Sequence, residues 1–162
     1  INLQRSNWRM HSNFKWSITY FYNVRHLTKN QMPLSTAMFP PTWYAESNKS
    51  KAFLDNNLVI NGLTIHEFVP KSAEECPCIK KNPDECSFLK MYRKQLHELN
   101  FEKVIQSYQE LARKISSITN IEIDEIVLLV YEKPTNVCSE RVALKELFHE
   151  NGQILEELEV TK

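Results

Sequence analysis

Ile126-Val127-Leu128-Leu129-Val130-Tyr131 is the most apolar run in the chain, and it constrains the fold more than any other stretch. Six residues cannot span a bilayer. Their β-branched and aromatic content suits a strand, and the lack of polar alternation means that such a strand is buried on both faces. A strand covered on both sides belongs in a parallel sheet with helices packed over it. A charged loop follows, Glu132-Lys133-Pro134-Thr135-Asn136. Then comes helical spacing at Val142, Leu144, Leu147 and Phe148, with Asn151-Gly152 as the stop. A strand that runs directly into a helix N-terminus is where α/β proteins place ligand sites.

The rest of the chain supplies neighbours for that strand. Trp16 to Tyr22 reads as a first strand, and Asn23 to Asn30 as a short helical or turn segment. Met32 to Phe39 reads as a second strand with Pro33 at its start. Pro40 and Pro41 then force a turn. Asn56 to Phe68 suits a strand or hairpin around Asn61-Gly62, and Lys71 to Asp84 a loop. Helical periodicity returns at Cys86, Phe88, Leu89, Tyr92, Leu96 and Leu99. It resumes at Val104, Ile105, Tyr108, Leu111, Ala112 and Ile115, with Asn100 as a cap between the two helices. A last short edge strand falls within Ile154 to Val160. The expected fold is a single three-layer α/β domain with a mostly parallel central sheet flanked by helices. Residues 1–15 form an N-terminal extension, residues 16–162 the domain, and a cysteine-containing insertion lies around 45–85.

Several function classes are disfavoured. Lys+Arg and Asp+Glu balance at 20 each, so no overall charge favours nucleic acid or a membrane surface, although a local basic patch stays open. Gly62 and Gly152 are the only glycines, so Gly-rich phosphate loops are absent. No apolar segment is long enough for a transmembrane helix, and the polar start of the chain is not a secretory signal. The expected location is the cytoplasm, with the four cysteines reduced.

The candidate site lies at the strand ends. Cys138, near the last helix start, is a candidate nucleophile or anion-binding thiolate supported by the helix dipole and by Arg141; the alternative is a small buried residue. Glu132 is a candidate acid/base group. Ser139 is either a ligand contact or simply the N-cap. Tyr22, Asn23, Arg25, Trp43 and Tyr44 follow the first two strands. They offer aromatic faces and a cation to a nucleobase or nucleotide-sized ligand, unless the aromatics merely cover the sheet edge. Cys76, Cys78 and Cys86, with His66 or His97, could bind zinc, but Cys-Pro-Cys is not the usual knuckle and reduced loop cysteines are the alternative.

Several of these motifs, in this order, resemble the bacterial and phage domain-of-unknown-function family numbered 488. They are Tyr22-Asn23 after the first strand, Pro41-Thr42-Trp43-Tyr44 after the second, Tyr131-Glu132-Lys133, and Cys138 with Arg141 at a helix start. The resemblance covers Trp16 to Val160 and implies the α/β fold and the site location. The family's Cys-His-Arg motif is here Cys138-Ser139-Glu140-Arg141, so the histidine and any general-base role for it have no counterpart. The segment from Ala45 to Asp84 is longer than in the family. Two function classes follow. One is a nucleotide- or nucleic-acid-related enzyme or sensor that binds a small anionic ligand in a cleft at Cys138 and Arg141. The other is a non-catalytic binding protein, phage or mobile-element encoded, that engages a host protein partner.

Overall fold

The computed structural model describes residues 14–45, 62–71, 86–132 and 139–158. Residues 1–13, most of the 45–85 insertion, and Cys76, Cys78 and Cys138 lie outside them. Among the described residues four strands make one sheet in the order β2-β3-β1-β4: β1 Lys15–Tyr20, β2 Gln31–Ser35, β3 Glu125–Val130 and β4 Glu156–Glu157. Every pairing is parallel. The apolar run is therefore an inner strand with a parallel neighbour on each side, as its composition requires.

Side-chain alternation along β3 divides the core. Ile126, Leu128 and Val130 enter a large cluster with Trp16, Ile18, Met32 and Leu34. That cluster is roofed by the three long helices, α2 Ser87–His97, α3 Phe101–Thr119 and α4 Glu140–Glu150. Val127 and Leu129 face the other way, into a smaller cluster with Phe21, Val24, Leu27, Ala37 and Tyr44. Only a 3₁₀ helix, Phe21–His26, and the short α1, Thr42–Ala45, supply that second layer among the described residues. Among the described residues the two flanking layers are thus unequal.

Local signals set the helix ends. The Asn100 side chain accepts the Lys103 N–H at 3.2 Å and starts α3. Asn120 closes α3 in the left-handed region at φ 64°, where asparagine is tolerated. Gly152 ends α4 at φ 76°, and its N–H bonds the His149 carbonyl at 3.0 Å.

Two strands stop earlier than their composition suggests. Phe21 and Tyr22 turn into the 3₁₀ helix, which lets the Phe21 ring enter the smaller core. β2 ends at Ser35 because the next residue, Thr36, turns its N–H and hydroxyl onto the Leu129 carbonyl, at 3.0 and 2.9 Å. Pro33 lies mid-strand rather than at its start, tolerated because β2 is at the sheet's edge. Residues 62–65 run beside the end of β2, with Thr64 bridged in parallel to Ser35. No helix among the described residues is long and apolar enough to cross a membrane.

Leu128 is fully buried in the larger core. Leu128→Ala should lower unfolding free energy by about 2–5 kcal/mol. This would be read in urea as a lower midpoint with an unchanged slope; a loss under about 1 kcal/mol would contradict its burial in the larger core.

Candidate functional site

Because the sheet is parallel, the C-terminal ends of β1, β2 and β3 share one edge, and α4 begins there. Thr36 follows β2, and its hydroxyl meets a Glu140 carboxylate oxygen at 3.0 Å. Glu132 follows β3. Ser139 caps α4 by accepting the Arg141 N–H at 3.2 Å, so its hydroxyl oxygen serves the helix.

Arg141 was expected to offer an exposed guanidinium to an anion. Instead it is 3% exposed and committed inside the protein. Its Nε donates to Glu157 Oε1 at 2.6 Å and its Nη1 to the Glu132 carbonyl at 2.7 Å. Lys145 reaches the same Glu157 oxygen at 3.1 Å. The physical reason is proximity: β4 brings Glu157 against the first turn of α4, and a partly buried carboxylate takes the nearest cation.

The carboxyls respond to burial. Desolvation comes first and the charge of Glu132 second; together they push Glu140 up to about 8, against a lowering contribution from the Thr36 hydrogen bond. Glu140 lies in the first turn of α4, where the helix dipole favours an anion, yet burial prevails. Burial also raises Glu132, with its own backbone and Arg141 working the other way. Three atoms in this cluster are buried and have no hydrogen-bond partner among the described residues: Glu132 Oε1, Arg141 Nη2 and Glu157 Oε2.

Aromatic rings lie at the same sheet edge, on the side of the smaller core. Phe21 lies 5.0 Å from Tyr131, 6.3 Å from Trp43 and 5.4 Å from Tyr44 between ring centroids. Tyr131 and Trp43 keep half and about a third of their surface open. Tyr44, expected to line a pocket, is fully buried, and its hydroxyl donates to the Leu63 carbonyl at 2.5 Å. It therefore joins β2 to the segment at 62–65 and does not face a ligand. Tyr22 is exposed and stacks on Tyr20, and the Arg25 guanidinium lies 4.2 Å from its ring. The Asn23 amide donates to the Thr19 hydroxyl at 2.8 Å. These three sit at the expected sheet edge but are engaged with their own neighbours.

The metal reading finds no support in Cys86, which is buried in the larger core just before α2. Among the described residues no group of His, Cys, Asp and Glu could hold a metal ion. His97 pairs with Glu150 at 2.8 Å, and His66 is exposed. Cys76 and Cys78, like the candidate nucleophile Cys138, lie outside the described residues.

Glu140, Thr36 and Glu157 were not singled out from sequence. Glu140 stands in Ser139-Glu140, which has an ordinary reading as a cap and first-turn acid. A cavity of about 890 Å³, lined in part by Trp16, Gln109 and Arg113, opens at the opposite edge of the sheet. None of the polar cluster lines it. Comparison with family models, curated proteins and solved structures gives no match.

Two outcomes check this geometry. Arg141→Ala should cost about 3 kcal/mol of stability, the lower end for breaking a buried pair, since the Glu157 side chain keeps 21% exposure. A loss near zero would mean that the guanidinium is free. Glu140 has a folded pKa above its unfolded value, so the native state binds more protons between about pH 4.5 and 8. Its stabilising contribution is present below that window and lost as pH rises through it. Glu140→Gln should flatten this fall and be the more stable protein at pH 9, checked by urea melts across pH.

Proposed function

We propose that this chain is a nucleotide- or nucleoside-related enzyme or sensor whose site is the carboxyl cluster at the C-terminal edge of the sheet. The observation that carries this reading is the convergence of Glu132 and Glu140, both with raised pKa values, at one desolvated spot on a sheet edge that also carries exposed aromatic rings. A carboxyl poised near neutral pH can hold or give a proton, and an exposed ring at the same sheet edge can take a flat base. In this reading Glu140 is the acid/base group, Glu132 its partner, and Tyr131 and Trp43 the flanking surface.

The ligand differs from the anion suggested by Arg141 alone. That guanidinium is held by Glu157, so the cluster favours polar neutral groups over a bare phosphate or carboxylate. The resemblance to domain-of-unknown-function family 488 is part of this proposal, as are a bacterial or phage source, a cytoplasmic setting and a role for Cys138. A second reading, a non-catalytic protein that engages a host protein, draws on the exposed Tyr22, Phe39, Trp43 and Tyr131.

Calorimetric titration with nucleosides and nucleotides separates the two. Binding to the parent protein should weaken at least tenfold in Glu140→Gln. It should weaken by about 0.5–1.5 kcal/mol in Trp43→Ala, the worth of one aromatic pair. A parent protein that takes up no member of the panel would end the first reading.

A further inference from the structure

The three unpartnered atoms of the cluster differ in kind, and that difference narrows the ligand. Arg141 Nη2 is a donor, whereas Glu132 Oε1 and Glu157 Oε2 are acceptors. Leaving such atoms buried and unsatisfied costs about 1–3 kcal/mol each, more when charged. We propose that the Glu132–Arg141–Glu157 cluster recognises adjacent hydroxyl groups of a neutral ligand, the diol of a ribosyl unit. This rests on the site reading above and names the chemistry that the site reads.

A hydroxyl carries one donor and two acceptor positions. One such group can accept from Nη2 while donating to a carboxylate, and a neighbouring hydroxyl can donate to the second. An anion offers acceptors only. It would leave Glu132 Oε1 and Glu157 Oε2 unmet and face the carboxylates of Glu132 and Glu157, with Arg141 and Lys145 as the cations beside them. Both cations already bond Glu157. A cationic ligand offers donors only and would leave Nη2 unmet beside a like charge. Glu140, with its proton retained at neutral pH, adds a further donor.

The guanidinium is pre-oriented for this task. Nε and Nη1 are pinned by Glu157 and by the Glu132 carbonyl, so little freedom is lost when Nη2 gains a partner. Glu132 and Glu157 are part-buried residues, and a rotamer change in either admits a guest on the timescale of side-chain motion.

The test is calorimetric titration of the intact protein with the four ribonucleosides, their 2′,3′-dideoxy counterparts and their 5′-monophosphates. At least one ribonucleoside should bind tenfold or more tighter than its dideoxy form, and the added phosphate should not improve affinity. Glu132→Gln and Glu157→Gln should each reduce the ribose preference, with melting temperatures confirming that both variants fold. A dideoxynucleoside bound as tightly as the ribonucleoside overturns the diol inference and leaves the site reading standing. A monophosphate bound tenfold tighter than its nucleoside overturns it in favour of an anion site. If no nucleoside or nucleotide binds, both readings fall, and the unpartnered atoms are met by water only.

Discussion

The structure depends on β3 being buried from both sides. Every residue from Ile126 to Val130 is fully inaccessible, and the strand donates alternate side chains to two separate cores. Its neighbours are parallel, so each chain end that follows a strand emerges on the same edge. That single arrangement places Thr36 beside Leu129, Glu132 beside Arg141, and the start of α4 over the exits of two strands. The unequal flanking layers of the described residues follow from the same division. Three amphipathic helices are needed over the face that presents Trp16, Ile18, Met32 and Leu34. The face with Ser17, Thr19 and Ser35 has less apolar surface to hide.

At that edge two opposing electrostatic effects meet, and their magnitudes decide the outcome. A first-turn acid gains roughly 0.3–1 kcal/mol from the helix dipole when exposed. Desolvating a carboxylate costs several kcal/mol, and a second carboxylate nearby adds to it. Glu140 therefore holds its proton more tightly than an ordinary glutamate despite its position at the head of α4. The same balance explains Arg141. A guanidinium close to a partly buried carboxylate serves Glu157 before it serves solvent, and the anion site read from position alone becomes a polar cluster with mixed donors and acceptors.

What was legible in the sequence was local. The unbroken apolar run marked the inner strand, helical spacing marked α2 and α3, and Asn100, Asn151 and Gly152 marked helix ends, because each signal acts within a few residues. The sheet edge was legible too, since parallel strands force shared ends. The partners were not. Glu157 lies 16 positions from Arg141 and Thr36 lies 104 from Glu140, and no local pattern announces either contact. Trp43 and Tyr44 look equivalent as neighbouring amphipathic aromatics. One stays part-exposed, and the other is sealed in because its hydroxyl finds the Leu63 carbonyl. Phe21 was misread as strand for a related reason. Its composition suits β structure, but the smaller core needed its ring.

The weakest strand carries a disproportionate part of this geometry. β4 pairs with β1 through only two residues, Glu156 and Glu157, supported by the Leu158 N–H on the Ile18 carbonyl at 2.8 Å. So short a ladder specifies register poorly, and two adjacent glutamates cannot tell one register from the next by charge. Two other contacts do so. Leu155 is buried in the larger core, and a one-residue slip would turn its side chain to the opposite face. Arg141, almost wholly buried, would then lose the carboxylate that neutralises it, and an uncompensated buried cation is costly. The buried pair therefore contributes less to net stability than to alignment. It holds β4 against α4 and, through the Glu132 carbonyl, ties both to the exit of β3. The positions of the cluster's acidic groups thus follow from the register of a two-residue strand.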